Sequence, residues 1–425
     1  MLDTPLVLTV IAGLLVVVGL CHRLAARLRL PSSVLLAAVG VAIGAFPALA
    51  AWLGFGPLNA AADLFAGLPI HSDTFIYVFL PLLVFEAGIL TDVGRTVADA
   101  PAILLLAVIA TVLTMAAVGL ALWPFSRLPL AVCLLLGAIV ATTDPAAVIA
   151  VFRDVGAPLR LTRLVEGEAL LNDAAAIAIF IVLLAMIVSG KEPNIAAACG
   201  EFAVSFVGGA VVGLCGGRLL LWTITHLSDD RLAEATLSVA FAYLIFIVAQ
   251  RALNLSGVVA VLATGLTVSA LGRSRITPEN WVFLVDLWEQ IAFWSRSLIF
   301  VLASILVPRL LVDVGWHDFA LLLVLVAAAF GARTLALFAL LPPLEYFRLT
   351  QRVSTQYKLA IIWGGLRGAL TLVLALAVTE NEAIPADVQR FVAVLATGFV
   401  LVTLFVNGTT LRRVIRLLGL AHPPG

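Results

Sequence analysis

Long apolar stretches separated by short polar segments dominate this chain. Thirteen of them are long enough to cross about 30 Å of hydrocarbon. They centre near residues 12, 40, 82, 112, 141, 176, 211, 241, 264, 294, 328, 367 and 400, and the second and ninth are the shortest. A spanning β-barrel would alternate weakly between apolar and polar positions. The continuous apolar pattern instead predicts an all-α polytopic membrane protein with about thirteen transmembrane helices.

The composition agrees with this pattern and narrows the function. Hydrophobic residues make up 63% of the chain and charged residues 12%, and the mean hydropathy is +1.16. These values are far from those of a soluble protein, and no soluble domain is predicted. The formal net charge of +0 gives no basic surface for nucleic acid. The cysteines and histidines lack metal-ligand spacing, so no cofactor is expected.

The basic residues of the loops are divided unequally between the two sides of the membrane. With the N-terminus outside, the cytoplasmic loops and tail carry fifteen of them: Arg23, Arg27, Arg29, Arg95, Arg153, Arg160, Arg163, Arg231, Arg273, Arg275, Arg348, Arg352, Arg412, Arg413 and Arg416. The opposite side carries five: Arg127, Lys191, Arg251, Arg309 and Arg390. Lys and Arg concentrate on the cytoplasmic side of membrane proteins. We therefore expect a cell-membrane protein with an outer N-terminus and a cytoplasmic C-terminus.

The sixth apolar stretch contains an unusual group of polar residues. "LVEGEALLNDAAAIAIF", residues 164–180, includes Glu166, Glu168, Asn172 and Asp173. An ionisable side chain at bilayer depth costs several kcal/mol and is a functional candidate by default. At about 100° per residue, Glu166 and Asp173 share one helix face, while Glu168 and Asn172 share another. One helix thus supplies two environments. Glu166 is near the cytoplasmic start of this helix, so it could be a surface acid or part of a cavity mouth.

Two other stretches contain residues that interrupt a helix. In "GAIVATTDPAAVIAVF", residues 137–152, Pro145 lacks a backbone donor and disfavours helix at Asp144. In "WGGLRGALTL", residues 363–372, three glycines and Arg367 lie at the centre of an apolar run. We expect both helices to unwind at these points. Arg367 can then satisfy freed carbonyl groups or face an acid.

The two interruptions fall at matching places in the chain, the fifth and twelfth stretches. If the seventh stretch is a linker, residues 1–190 form a first repeat, 191–230 the linker helix and 231–425 a second repeat. Because the offset of seven is odd, the repeats are inverted. Matched broken helices in inverted repeats are typical of secondary transporters with a site near the midplane. The sequence therefore predicts two inverted six-helix repeats whose broken helices cross at mid-membrane.

The motifs also resemble a known family. "ATTDPAAVIAVFRDVGAPLRLTRLVEGEALLNDAAAIAIF" closely resembles the monovalent cation/proton antiporters of the NhaP and Na+/H+ exchanger branch. "FLPLLVFEAGIL", "LWEQIAFWSRSLIF" and "GGLRGAL" look like three further signatures of this family in the expected order. The resemblance implies the Na+/H+ antiporter fold and a secondary transporter, not an enzyme. Its transported ions would be Na+, or else Li+ or K+, and H+.

The resemblance implies a role for each of several residues. Asp173 would bind the cation and the proton in turn, with Asn172 beside it. Thr143 and Asp144 match the unwound motif that completes the site, and Glu86 matches an acid that reaches the ion from the dimerisation side. The implied Na+ ligands are thus Asp173, Thr143 and Glu86. The Asn-Asp pair resembles the electroneutral branch, which exchanges one cation for one proton.

Other residues match structural roles in the family. Glu168 and Arg333 match a buried ion pair, which agrees with the need of buried charges for partners. Arg367 matches the arginine at the crossing of the broken helices. The resemblance further implies a homodimer in which a six-helix core moves against a dimerisation domain.

The chain departs from the family pattern at two places. Ala169 stands where the family often has serine, which removes one hydroxyl ligand. Arg296 precedes Ser297 where an asparagine is usual. This additional cation could pair with Glu289, seven residues earlier on the same helix face, or with Glu86. In the second case it would affect ion affinity, selectivity or the charge balance of transport.

A buried aspartate suits cation/proton exchange for a simple reason. A hard monovalent cation prefers oxygen ligands, and burial disfavours the charged form of a carboxylate, so Na+ and H+ compete for the same oxygens. Either occupant neutralises the site, and a neutral site crosses the membrane at lower cost than an empty, charged one. Because the site moves only when a cation or a proton occupies it, the protein exchanges one ion for the other. Asp144 could assist by coordinating the ion through water, or could instead neutralise helix ends and Arg367.

Three other functions remain as alternatives at this point. A K+/H+ antiporter would share the fold and the site. Asp144 and Asp173 could form the dyad of an intramembrane aspartyl hydrolase, although no GxGD motif follows a Tyr-Asp span. Arg333 and Arg367 could attract anions in a channel or an anion carrier, but acids outnumber bases at the predicted site.

Overall fold

The computed structural model describes residues 4–28, 30–53, 71–96, 99–189, 195–227, 230–311, 314–348 and 350–421. Within these ranges ten helices are long and apolar enough to cross a membrane, by length and composition. Three further apolar helices are shorter, namely Ser32–Phe46, Gly257–Gly272 and Ala369–Thr379. Together they follow the thirteen predicted stretches in order. The prediction of an all-α polytopic protein is confirmed.

We number the helices in chain order and divide the fifth and twelfth into two halves. The bounds are α1 Thr4–Leu28, α2 Ser32–Leu53, α3 Ser72–Leu90, α4 Pro101–Ser126, α5a Leu130–Ala141, α5b Pro145–Val155, α6 Leu159–Ser189, α7 Ile195–Leu227, α8 Arg231–Ala252, α9 Gly257–Gly272, α10 Pro278–Leu310, α11 Trp316–Tyr346, α12a Thr355–Trp363, α12b Ala369–Thr379 and α13 Ala386–Leu417.

The break in α5 lies where the proline predicted it. Thr142 and Asp144 have extended backbone angles between α5a and α5b. Pro145 opens α5b, a position where its missing N–H interrupts no helical hydrogen bond. The Asp144 Oδ1 atom accepts a hydrogen bond of 3.0 Å from Ala146 N and so caps the new helix.

The break in α12 covers the glycine-rich segment between Trp363 and Ala369. Here the first half-helix ends at Trp363, and its carbonyl accepts a hydrogen bond of 3.0 Å from Asn407 Nδ2 on α13. A neighbouring helix therefore satisfies a backbone group that the break frees, as non-helical backbone within a membrane protein requires.

The two breaks cross each other. Asp144 N donates a hydrogen bond of 2.8 Å to Leu366 O, so the extended segment of α5 pairs with that of α12. The Thr142 and Thr371 hydroxyl oxygens also lie 2.8 Å apart. The predicted crossing of two broken helices is confirmed, and backbone as well as side-chain hydrogen bonds fix it.

The helices pack as two groups. The core group comprises α4, α5, α6, α11, α12 and α13, which contact one another around the crossing. The scaffold group comprises α1, α2, α3, α8, α9 and α10, and α7 packs along α9 and also contacts α6. A Cβ added to Gly44 of α2 would lie 2.1 Å from Ile305 O of α10, which shows how closely the scaffold helices approach.

Of the five π-helical turns in the described residues, two occupy matching positions in the core group. One spans Leu105–Ile109 in α4 and the other Ala336–Leu340 in α11, and the two turns contact each other. They are seven helices apart, the offset that the predicted inverted repeat requires. The repeat boundaries themselves stay a prediction, and the first of them, at residues 190–191, lies outside the described residues.

Candidate ion-binding site

Asp173 lies on α6 directly beside the break in α5. Its side chain is half-buried, and its Oδ1 atom accepts a hydrogen bond of 3.1 Å from Thr143 N. Asp144, Arg367 and Glu168 are all close enough to interact electrostatically with this carboxylate. The aspartate that the sequence singles out therefore lies at the crossing of the broken helices, in contact with one of the unwound segments.

Asn172 holds α6 against two neighbouring helices. Its Nδ2 atom donates to Ala141 O at 2.8 Å and to Thr143 Oγ1 at 3.2 Å. Its Oδ1 atom accepts a hydrogen bond of 2.6 Å from Thr111 Oγ1 on α4. The buried amide thus uses both its donors and its acceptor within the protein. It fixes the Thr143 side chain in this conformer and has little capacity left for an ion.

Asp144 has one carboxylate oxygen in use and one without a partner. Oδ1 caps α5b, whereas Oδ2 is buried and accepts no hydrogen bond from the described residues. A buried acceptor without a partner costs roughly 1–3 kcal/mol. Among the oxygens beside Asp173, Asp144 Oδ2 is therefore the one that a cation, a proton or a water molecule would stabilise most.

Arg367 binds the backbone that the α5 break exposes. Its NH1 atom donates to Ala141 O at 3.0 Å and to Thr142 O at 2.7 Å, and its guanidinium lies 5.6 Å above the Phe399 ring. Of the two sequence-based alternatives, freed carbonyls or a facing acid, the structure has Arg367 hydrogen-bonded to carbonyls. Asp173 and Glu168 also lie within its electrostatic range.

Glu168 and Arg333 form a two-pronged ion pair within the core group. Arg333 NH1 lies 2.7 Å from Glu168 Oε1, and NH2 donates to Oε2 at 2.9 Å. The Arg333 Nε atom also donates to Ile361 O at 3.0 Å. All three nitrogens of this guanidinium are engaged, so the pair joins α6, α11 and α12a.

Glu86 is the predicted site residue that lies apart from the others. On α3 of the scaffold group, its Oε2 atom accepts a hydrogen bond of 3.3 Å from Arg296 NH2 on α10. In the described residues the hydrogen-bonded cluster around Asp173 does not include it. The question left open by the sequence is thereby answered: Arg296 pairs with Glu86. Ala169, the other departure, is buried on α6 and contributes no side-chain oxygen.

Sequence reasoning missed three threonines that support the site. Thr111 bonds Asn172, Thr371 bonds Thr142, and the Thr403 hydroxyl accepts a hydrogen bond of 3.3 Å from Arg367 N. Thr111 and Thr403 belong to apolar helices outside the quoted motifs, and Thr371 lies in the apolar half of the second break motif. A lone threonine in such a helix commonly bonds its own backbone. Nothing in the sequence marks these three as different.

Gly368 should not tolerate a side chain, because the broken helices are too close. A Cβ at this position would lie 2.6 Å from Asp144 Cβ. We expect Gly368→Ala to cost about 1–3 kcal/mol of stability through overpacking and to slow ion exchange by displacing Asp144. Melting temperature in detergent and exchange rate in proteoliposomes measure the two effects. Gly331→Ala is the matched control, since a Cβ there meets nothing within 4 Å; equal behaviour of both variants would contradict the prediction.

Comparison with known proteins places this arrangement in a family. The transmembrane sodium/hydrogen exchanger family matches residues 12–417 of the chain. The chain belongs to this exchanger family. An Na+/H+ antiporter of Aphanothece halophytica is 32% identical over 356 residues, which cover 83% of this chain and 66% of that protein. One from Halobacillus aidingensis is 27% identical over 403 residues and 94% of each chain.

The exchanger family varies in chain length. This chain spans 66% of the first relative, just under two thirds, and 37% and 56% of two longer ones. Among solved structures, the sodium proton antiporter of Methanocaldococcus jannaschii matches with a TM-score of 0.78. The sequences are 23% identical, and the match covers 97% of this chain and 98% of that one. This likeness establishes the fold of the chain as that of the antiporter.

Proposed function

We propose that this protein is a secondary active antiporter that exchanges Na+, or another small monovalent cation such as Li+ or K+, for H+. The observation that carries this proposal is the Asp173 carboxylate, half-buried at the crossing of two broken helices in a chain of the exchanger family. A site of this kind, made by unwound helices near the centre of a bundle, suits a small ion that leaves its hydration shell.

The chemistry of the site supports binding of a cation and a proton in turn. Asp173, Asp144 Oδ2 and the Thr143 hydroxyl offer oxygen atoms, the ligands that a hard cation prefers. A proton on Asp173 removes the charge that attracts Na+, so the two occupants exclude each other. One cation for one proton leaves the net charge of the site unchanged, which makes the proposed exchange electroneutral.

Alternating access follows from the division into core and scaffold groups. The candidate ligands on α5 and α6 belong to the core, while Glu86 and Arg296 belong to the scaffold. At one end of the molecule Glu380, after α12b, accepts hydrogen bonds from Ser72 N at 2.8 Å and from Ser72 Oγ at 2.6 Å. This contact between core and scaffold lies, in the proposed orientation, on the outer side. It supports a conformer whose outer side is closed.

The remaining parts of the proposal concern placement and assembly. We propose the cell membrane, with the N-terminus outside and the C-terminus in the cytoplasm, because arginines concentrate on that side. We also propose a homodimer formed through the scaffold group, since the core group must be free to move. Chemical crosslinking between single cysteines, introduced on the faces of α1 and α2 that point away from the core group, would test this assembly.

The intramembrane hydrolase is a weaker candidate on the same geometry. An aspartyl dyad holds one proton between two carboxyl groups at hydrogen-bond distance. Here Asp173 Oδ1 binds Thr143 N and Asp144 Oδ1 binds Ala146 N. Each carboxylate is thus turned to a separate backbone donor, which favours ion coordination over a shared proton.

The proposed function is tested in proteoliposomes that carry a pH gradient and a trapped pH-sensitive dye. We expect Na+ or Li+ to dissipate the gradient, and choline to leave it unchanged. An imposed membrane potential should leave the rate unaltered if exchange is one for one. A response to K+ alone would favour the K+/H+ alternative. A rate that follows voltage would contradict electroneutral exchange, and no response to any of these cations would overturn the proposal.

A further inference from the structure

Arg296 places a permanent positive charge beside the candidate site. Its NH2 atom lies 3.3 Å from Glu86 Oε2, and the exposed fractions are 38% for the arginine side chain and 9% for the glutamate. The guanidinium is therefore at the open end of the pair and the carboxylate at the enclosed end. Of the two, Arg296 has room to move, and its long flexible stem allows movement without a change in the helices.

Other carboxylates lie within electrostatic range of this pair. Glu86 interacts electrostatically with Glu289 and Glu166 as well as with Arg296. Glu289 is exposed and Glu166 is half-buried near the start of α6. Arg153 is within electrostatic range of Glu166, so the charge of Glu166 is partly neutralised as well. Together the three carboxylates attract cations, and Arg296 is paired with the most buried of them.

Arg296 also acts on a carboxylate of the core group. Arg296 is within electrostatic range of Asp144, the residue whose Oδ2 atom is buried without a partner in the described residues. The guanidinium is thus paired with a scaffold carboxylate and within electrostatic range of a core carboxylate. Its charge equals that of Na+, and it cannot leave the protein.

We propose that Arg296 is a built-in competitor of the transported cation. Arg296 sets the apparent cation affinity by pairing with Glu86 and by its positive charge near Asp144. The inference rests on the proposed function, because it concerns the same site. A cation that approaches Asp144 and Asp173 finds the Glu86 carboxylate already neutralised by Arg296. The positive charge of Arg296 also repels it. Arg296 therefore lowers affinity, and it does not supply a ligand or a proton.

The competitor role predicts opposite effects for the two partners of one ion pair. Removing the guanidinium by Arg296→Gln frees Glu86 and should lower the KM for Na+ about tenfold, equivalent to about 1.4 kcal/mol. Removing the carboxylate by Glu86→Gln leaves the guanidinium unpaired and should raise KM by a similar factor. Glu86→Gln/Arg296→Gln removes both charges and should fall within about twofold of the wild type. A pair that serves only stability would not move KM in opposite directions.

The experiment measures Na+-dependent proton exchange in proteoliposomes, together with Na+-dependent thermal protection of the detergent-solubilised protein as a separate reading of affinity. Arg296→Lys keeps the charge and should stay near the wild-type KM. Arg390→Gln is the matched control, because Arg390 also pairs with a carboxylate, Asp318 at 2.7 Å, at the ends of α11 and α13. It should leave KM unchanged.

The outcomes separate this inference from the proposed function. If wild-type protein exchanges Na+ for H+ and Arg296→Gln has an unchanged or higher KM, the competitor role is wrong and the antiport proposal stands. If Arg296→Gln does not fold, Glu86→Gln decides instead: an unchanged or lower KM overturns the inference. If the wild type exchanges no cation, the proposed function fails, and thermal protection by Na+ alone tests whether Arg296 opposes binding.

Discussion

Asp173→Asn is expected to abolish cation-driven proton exchange, with a loss of at least about a hundredfold in rate, or about 2.8 kcal/mol. Asparagine keeps the size of the side chain and an oxygen that can accept the hydrogen bond from Thr143 N. It has neither the negative charge that attracts a cation nor a proton that it can release. The measurement is dissipation of a pH gradient by Na+ or Li+ in proteoliposomes.

The control for Asp173→Asn is Asp154→Asn. Asp154 is a carboxylate with an exposed side chain at the end of α5b, and it pairs with Arg412 of α13. The same chemical change at this position should leave exchange near the wild-type rate. Wild-type exchange by a well-folded Asp173→Asn protein would show that another group carries the proton, and Asp144 would be the next candidate.

Glu168→Gln is expected to destabilise the protein far more than it weakens cation binding. The substitution leaves Arg333, whose side chain is only 12% exposed, with an uncompensated charge; for a buried pair such a loss typically costs 3–5 kcal/mol. The pair connects α6, α11 and α12a but contributes no atom to the hydrogen-bonded cluster around Asp173. We therefore expect a clearly lower melting temperature, while KM for Na+ in the surviving protein changes less than about threefold.

A double substitution sharpens this second prediction. Glu168→Gln/Arg333→Gln removes both charges and should recover part of the lost stability, because no buried charge remains unpaired. Arg390→Gln breaks a pair whose arginine is 46% exposed, so it should cost less than about 1 kcal/mol. Normal melting with lost cation binding in Glu168→Gln would refute the structural role and make Glu168 a ligand.

The site shows how far local chemistry can be predicted. Pro145 predicted the unwinding of α5 because proline lacks a backbone N–H and disfavours helix at the preceding residue. The glycine-rich segment around Arg367 predicted the second break in the same way. Both effects act within a few residues of the chain, so the sequence indicates where a break is favoured, whereas Pro124 of α4 and Pro308 of α10 remain within continuous helices.

Contacts between distant segments could not be predicted in the same way. Arg296 had two candidate partners in the sequence, and the choice of Glu86 depends on how α3 packs against α10. Thr111 supports Asn172 because α4 places its hydroxyl 2.6 Å from the amide oxygen. Family resemblance placed Glu86 near the ion, yet in this conformer its hydrogen-bonding partner is Arg296.

The sequence by itself determined the number and order of the apolar helices, the location of the two breaks and the aspartate that lies beside them. These features follow from hydropathy, from proline and glycine geometry and from the cost of a charge in an apolar segment, which are all properties of short stretches. The tertiary structure decided which carbonyls Arg367 binds, that Asp144 keeps one oxygen without a partner and that Arg296 pairs with Glu86. Each of these depends on distances of a few ångströms between helices far apart in the chain, and only packing sets such distances.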